Sequence, residues 1–136
     1  MEEILIAPCG INCRVCGMYQ KRSHPCLGCR LRTTKKSRLC VIKNCREERW
    51  SSPSLCLGCA KFPCPRLRAR GQRYREKTAE VLSVVENLLA IQEKGMEAFL
   101  HEETEKWTCP HCGEVLRAGS SFCPACGQAC FPQKRV

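Results

Sequence analysis

The stretch that decides the fold runs from residue 9 to residue 64 and reads CGINCRVCGMYQKRSHPCLGCRLRTTKKSRLCVIKNCREERWSSPSLCLGCAKFPC. Ten of these 56 residues are cysteines, and most of them form pairs separated by two to four residues. Two cysteines that are two residues apart can reach one ion with both sulfurs while the backbone turns. The pattern is therefore typical of metal-binding knuckles joined by short polar or basic segments.

Composition favours metal ions over disulfides as the support of this fold. The chain has 136 residues and 15 cysteines, but only two Trp, two Tyr and four Phe. Small domains with so little core material need a staple. The first residues contain neither a basic leader nor a long apolar run, and no stretch approaches the roughly 20 apolar residues that cross a membrane. We therefore expect a cytoplasmic protein without a membrane segment, whose reduced thiols bind metal.

The clearest motif closes the chain, where CPHCG at 109–113 and CPACG at 123–127 are separated by a short spacer. A glycine after each pair permits the left-handed backbone that a tight knuckle needs. Two such knuckles facing each other predict a zinc ribbon, a closed and therefore structural site. Two unrelated redox pairs are the alternative. The predicted ligands are Cys109, Cys112, Cys123 and Cys126, with Cys130 as a spare thiol.

The N-terminal array predicts two further four-cysteine sites, built from four arms. The arms are Cys13/Cys16, Cys26/Cys29, Cys40/Cys45 and Cys56/Cys59, with Cys9 and Cys64 as alternates. Two ions can be shared among the four arms in three ways. Sequential pairing joins the first arm with the second and the third with the fourth. Interleaved pairing joins the first with the third and the second with the fourth, and nested pairing joins the first with the fourth and the second with the third. The gaps between arms are nine or ten residues throughout, so the spacing does not choose among the three. With the ribbon, the sequence predicts about three zinc ions.

An iron–sulfur cluster is the alternative to zinc in the first half. The spacing of Cys9, Cys13 and Cys16 is that of radical enzymes which use S-adenosylmethionine, and Cys64-Pro65 is similar to the last Cys-Pro of bacterial ferredoxins. The chain is too short for the barrel of those radical enzymes, and its arms match zinc knuckles better. Zinc is therefore the prediction here too, with the iron–sulfur cluster kept as the alternative.

The one region with helical periodicity follows Pro65. Apolar residues within 81–89 recur at three- and four-residue steps, which predicts a helix over roughly 72–94 that ends at Gly95. A shorter helix is predicted over roughly 96–105. Basic residues crowd the expected start of the first helix and oppose its dipole by about a few tenths of a kcal/mol each. The helices are thus expected to depend on packing, either on the metal-bound module or on another chain.

These readings predict a small, metal-stabilised fold of α-helices and irregular structure, with one short strand or lead-in over 3–7. A cysteine-rich zinc-knuckle module leads into a helical linker, a zinc ribbon and a tail. The predicted bounds are 1–70, 71–106, 107–130 and 131–136.

The order of the motifs resembles a known prokaryotic family of short cysteine-rich proteins. The segments that carry the resemblance are Cys9–Cys16, Cys26–Arg30, Cys40–Cys45 and Cys56–Cys64, and the likeness covers residues 5–68. Some members continue, as here, through a helix into a motif similar to Lys106–Gly113. The family is known only as a domain of unknown function. The resemblance implies a metal-binding, zinc-type module and brings no substrate or catalytic residue.

Nothing in the sequence predicts an enzyme. It contains no Asp and three His, and it has no triad, P-loop or dinucleotide fingerprint. We therefore expect a non-enzymatic adaptor with an unidentified protein partner and an oligomeric state that the sequence leaves open. Residues 1–72 carry a formal charge of +11, which raises nucleic acid as an alternative partner. Part of that charge offsets the negative metal–thiolate groups, and few aromatic residues are placed to stack on bases. An iron–sulfur or thiol redox protein is the third interpretation.

Overall fold

The computed structural model of the chain describes residues 1–31, 42, 45, 55–78 and 82–130. Within these residues there is no strand, only isolated antiparallel bridges and helices. Short 3-10 turns lie at Glu3–Leu5, Cys13–Val15 and Cys56–Gly58. The α-helices are α1 (Gly17–Gln20), α2 (Pro65–Lys77), α3 (Val84–Lys94) and α4 (Met96–Lys106). The predicted class of helices plus irregular structure is confirmed, whereas Cys40 and the tail at 131–136 lie outside the described residues.

The prediction of one helix over roughly 72–94 is wrong, because two capping residues interrupt that range. α2 already begins at Pro65, since proline is well tolerated in the first turn of a helix. It ends at Thr78, whose hydroxyl donates to the carbonyl oxygen of Tyr74 (2.6 Å). The basic residues Arg75 and Lys77 therefore lie in the last turn of α2, where they complement the helix dipole.

The next helix, α3, begins after Ser83, whose side-chain oxygen accepts the backbone N–H of Glu86 (3.4 Å). Serine followed three residues later by glutamate is a familiar N-terminal signature of helices. Gly95, with φ of +86°, separates α3 from α4. Of the short strand or lead-in predicted over 3–7, the strand is wrong: Glu3–Leu5 form a 3-10 turn, and Ile6 makes only an isolated bridge with Asn12.

The helices α3 and α4 pack on the first cysteine-rich segment of the same chain. The side-chain amide of Asn87 donates to the carbonyl oxygen of Gly10 (2.9 Å), and that of Asn12 donates to a carboxylate oxygen of Glu103 (3.2 Å). Both bonds are buried. The largest fully buried apolar side chains around them are Trp107, Phe99, Ile6, Leu67, Leu88, Val15 and Val84. Of the two ways to cover the helices, the structure thus shows packing on the cysteine-rich module.

The C-terminal segment is fastened to the same module. The backbone N–H of Ala118 donates to the carbonyl oxygen of Val15 (2.9 Å). The side chain of Gln20 donates to the carbonyl oxygen of Leu116 (2.9 Å) and accepts from Arg117 Nε (3.3 Å). The cysteine-rich start of the chain therefore contacts both the helices and the last segment. None of the described helices has the length and apolar character needed to cross a bilayer.

Candidate metal centre

Two knuckles of the same construction make up residues 108–129. In the first, the N–H of Cys109 donates to the carbonyl oxygen of Glu114 (2.8 Å), and the N–H of Gly113 donates back to that of Cys109 (2.9 Å). In the second, the N–H of Cys123 donates to the carbonyl oxygen of Gln128 (2.9 Å), and the N–H of Gly127 donates to the carbonyl oxygen of Cys123 (3.0 Å). Each knuckle is closed by one bridge, Thr108 with Val115 and Phe122 with Ala129. The repeated bonds fix both cysteine pairs at the tips of equivalent turns.

The glycines after the two pairs adopt the conformation that the sequence predicts for them. Gly113 has φ of +79° and Gly127 has φ of +74°. A Cβ at either position would meet no atom within 4 Å. Glycine is therefore required for backbone conformation alone, because the left-handed region costs other residues about 1–2 kcal/mol.

The two knuckles bring four sulfur atoms together. The Sγ atoms of Cys109, Cys112, Cys123 and Cys126 all lie within 4.8 Å of one another. Cys109 Sγ is 3.8 Å from Cys126 Sγ, and Cys112 Sγ is 3.6 Å from Cys123 Sγ. A tetrahedron with Zn–S bonds of about 2.3 Å places its sulfurs about 3.8 Å apart. The quartet therefore has the dimensions of a four-thiolate zinc site.

Cys130 lies beside this quartet, which the sequence did not predict. Its Sγ is 3.5 Å from Cys109 Sγ, and only 5% of the residue is exposed. The N–H of Cys130 donates to the carbonyl oxygen of Ser121 (2.9 Å), so the chain passes back along the second knuckle. The only feature of the sequence that could have indicated this proximity is that Cys130 follows Cys126 by four residues. A fifth sulfur thus touches the cluster from its buried side.

Backbone N–H groups act on the sulfurs of the quartet. Desolvation raises the pKa of Cys109, but hydrogen bonds from the N–H groups of Cys112 and His111 outweigh it and lower this pKa to about 6. At Cys112 the N–H of Glu114 lowers the pKa, whereas burial and the neighbouring thiols raise it to about 12. Without metal, one thiol of the cluster therefore ionises well before another.

We expect zinc affinity of the ribbon to fall as the pH falls, in two stages. Zinc binds thiolates, so it must displace the proton of Cys112, whose pKa of about 12 keeps it protonated at neutral pH. This alone gives a loss of at least about tenfold per pH unit. Below the pKa of Cys109, about 6, one more proton competes, and the loss should steepen by up to about a further tenfold per unit. Competition with a chromophoric chelator from pH 8 to pH 5 measures both slopes. A slope that does not steepen near pH 6 would argue against Cys109 as a ligand.

One cysteine of the first N-terminal arm lies beside one cysteine of the second. The N–H of Cys29 donates to Cys13 Sγ (3.3 Å), and a hydrogen bond between the two thiols raises the pKa of Cys13. Burial raises the pKa of Tyr74, and the charges of Cys9, Cys29 and Cys16 raise it further. The tyrosine of α2 therefore lies within electrostatic range of three cysteines of the array.

A different set of cysteines lines a cavity of about 280 Å³ next to the start of α2. They are Cys45, Cys56, Cys59 and Cys64. The N–H of Lys61 donates to Cys59 Sγ (3.4 Å). Apart from the ribbon, no three Cys, His, Asp or Glu side chains in the described residues hold their ligand atoms within 4.8 Å of one another. The assignment of zinc ligands in the first half thus stays a prediction, and Cys40 lies outside the described residues.

These features define a small, mostly helical, cysteine-rich protein that ends in a zinc ribbon. Residues 108–129 match the zinc-ribbon domain. Residues 5–69 match the family described as a protein of unknown function (DUF3795). The resemblance seen in the sequence is therefore confirmed, over nearly the same residues. Neither the curated proteins nor the solved structures show a significant match to the chain. The zinc-ribbon match and the four-cysteine cluster together support zinc binding.

Proposed function

We propose that this protein binds zinc at structural four-cysteine sites and acts as a non-enzymatic adaptor in the cytoplasm. The observation that carries the proposal is the sulfur quartet at the C-terminus, whose spacing fits one zinc ion. Its ligands in this proposal are Cys109, Cys112, Cys123 and Cys126. Four protein ligands fill the tetrahedron and leave no open position for water or substrate, which is the arrangement of a structural rather than a catalytic zinc.

Zinc would supply stability that the ribbon lacks otherwise. In residues 108–129 the backbone makes two isolated bridges, and the large apolar side chain of Phe122 is 58% exposed. A structural zinc contributes roughly 10–16 kcal/mol of apparent binding free energy, which is comparable to the stability of a whole domain. No disulfide joins any of the described cysteines, so the thiols are available to metal.

Exposed apolar side chains support a role in protein contacts. Leu27 and Leu31 lie in the loop after α1, and they are 62% and 56% exposed. Gly28 lies between them with φ of +101°, so the turn presents both side chains outward. Large contiguous apolar patches mark contact surfaces, and these two leucines are the proposed contact point. The proposal therefore places a protein partner on this side of the cysteine-rich module.

Nucleic-acid binding is the alternative, and one feature of α2 favours it. The exposed residues of this helix include Arg66, Arg68, Arg73 and Arg75. One of them, Arg75, is paired with Glu86 (2.9 Å). Contacts between arginines and phosphates would make the affinity fall steeply with salt, by about one power of the salt concentration per phosphate. Measuring RNA and DNA binding across a salt series separates this alternative from an adaptor role, which predicts no such binding.

Metal analysis of the purified protein tests the proposal. Native mass spectrometry with elemental analysis, on protein prepared without oxygen, is expected to find about three zinc ions. Chelation should then abolish most far-UV circular dichroism, because the metals stabilise the fold. Re-addition of zinc to the chelated sample is the control for irreversible damage. An unchanged spectrum after verified removal of the metal would contradict a structural role.

A further inference from the structure

Four cysteines from separate stretches of the chain line one cavity at the start of α2. Its volume is about 280 Å³, and its walls also contain Lys61, Phe62, Arg66 and Leu67. The arms Cys13/Cys16 and Cys26/Cys29 are not among the described residues that line it. The cavity therefore unites Cys45 with the Cys56/Cys59 arm and with Cys64, which the sequence had left as an alternate.

The backbone holds these sulfurs in the manner of metal ligands. Cys56 opens a 3-10 turn, and the N–H of Cys59 donates to its carbonyl oxygen (3.1 Å). The N–H of Lys61 then donates to Cys59 Sγ (3.4 Å). Hydrogen bonds from N–H groups to sulfur are a regular feature of thiolate-bound metals, because they stabilise the negative charge on sulfur. The 56–61 turn thus has the local construction of a knuckle.

The charges around the cavity suit a negatively charged centre. Cys64 is the N-cap of α2, a helix of 13 residues, and no side chain caps that end. The positive end of the helix dipole therefore lies at the cysteine. Lys61 and Arg66 add two cations to the wall. A zinc ion with four thiolates carries two net negative charges, which these groups would offset.

The contacts also distinguish among the three ways of sharing the arms. Interleaved sharing joins Cys13 to the third arm, and nested sharing joins it to the fourth. In the structure, Cys13 Sγ instead accepts the N–H of Cys29, from the second arm (3.3 Å). Cys45 of the third arm shares its cavity with the fourth. Both observations favour sequential sharing.

We infer that Cys45, Cys56, Cys59 and Cys64 are the ligands of a second zinc site, separate from a site that the first two arms form. This inference rests on the proposed function and names its ligands in the first half of the chain. In the structure, no three of the four sulfurs lie within 4.8 Å of one another. Zinc binding here therefore requires these sulfurs to come closer together, whereas the four sulfurs of the ribbon already lie at ligand spacing.

Zinc content of single variants of the full chain tests the ligand set. Cys64→Ser should lose one zinc ion relative to the wild type, or bind it at least about a hundredfold more weakly, as judged by native mass spectrometry and chelator competition. Cys9→Ser is the matched comparison, since the sequence named Cys9 as the other alternate and it is not among the residues that line the cavity; it should keep the wild-type zinc content. Cys64→His should restore the lost zinc, because Cys₃His is an ordinary zinc ligand set. A merely packed Cys64 would not be rescued by histidine.

The outcomes separate this inference from the proposal on which it depends. A wild-type protein that holds no zinc would overturn both. Equal zinc in Cys64→Ser and the wild type, or loss of zinc in Cys9→Ser alone, would overturn the ligand set and leave the ribbon zinc in place. If Cys64→Ser fails to fold, the rescue by Cys64→His still decides: its absence counts against ligation. Iron that is present in the wild type and lost in Cys64→Ser would support the four ligands, but it would show that they hold an iron–sulfur cluster and not zinc.

Discussion

Cys112→Ser is expected to remove the zinc ion from the ribbon, whereas Cys130→Ser should leave it bound. The first change takes away one of four thiolates, and serine is a poor ligand for zinc. If each thiolate supplies about a quarter of the 10–16 kcal/mol of a structural zinc, the affinity falls by at least about a hundredfold to a thousandfold. The ribbon should unfold with the loss of its metal.

Comparison with Cys130→Ser distinguishes loss of a zinc ligand from loss of packing. Cys112 is exposed, whereas Cys130 is 5% exposed and lies 3.5 Å from the quartet. If packing alone mattered, the buried cysteine would be the more damaging one to replace. If Cys112 is a zinc ligand and Cys130 is not, replacing the exposed Cys112 should be the more damaging change. Native mass spectrometry gives the zinc content, and two-dimensional amide NMR spectra show which residues lose structure. Zinc retained by Cys112→Ser and lost by Cys130→Ser would show that the fifth sulfur belongs to the ligand set.

Gly10→Ala is the second change with a large expected effect, of about 2–5 kcal/mol in the free energy of unfolding. Gly10 has φ of +90°, which costs an alanine about 1–2 kcal/mol. The new Cβ would also lie 2.9 Å from Leu88 Cγ and 3.0 Å from the carbonyl oxygen of Val84. The backbone oxygen belongs to the first residue of α3 and cannot move without moving the helix. Overpacking of this kind adds about 1–3 kcal/mol.

Gly95→Ala separates the two contributions. Gly95 has φ of +86°, similar to that of Gly10, but a Cβ there would meet nothing within 4 Å. Its substitution should therefore cost only the conformational part, about 1–2 kcal/mol. Urea unfolding of both variants at one fixed excess of zinc measures the difference. Equal losses would mean that α3 yields to the added methyl group, and that the contact at Gly10 is not tight.

The ribbon was predictable from the sequence because its ligands are local. All four cysteines lie between 109 and 126, and the glycines at 113 and 127 mark the turns. A short segment with only two cysteine pairs can form a four-cysteine site in only one way. The first half differs, since its arms have nearly equal spacing and the choice depends on which of them the fold brings together. That information lies in contacts between distant residues, such as Asn87 with Gly10 (2.9 Å).

The predicted end at Gly95 and the helix over roughly 96–105 are confirmed by α3 and α4. The start of α2 and its separation from α3 were missed for a different reason. The apolar periodicity lay within residues 81–89 and the predicted helix was extended back from there to residue 72, so the pattern favoured one long helix. Two hydroxyl side chains mark the ends of separate helices instead. The hydroxyl of Thr78 donates to the carbonyl oxygen of Tyr74 at the end of α2, and Ser83 caps the start of α3. Such residues compete with the helical hydrogen bonds of the backbone and prefer its ends. The capping signature of Ser83 and Glu86 was present in the sequence and could have located the break.

The start of the chain owes part of its structure to residues that a ribosome adds much later. Asn12 bonds to Glu103 across 91 residues, and Gln20 bonds to Leu116 across 96. At about 5–20 residues per second, this separation corresponds to roughly 5–20 s of synthesis. During that interval the cysteines of the nascent chain lack the helices and the ribbon that later cover them. Early metal capture by the N-terminal arms would protect these thiols, so zinc supply during translation is expected to limit the yield of folded protein.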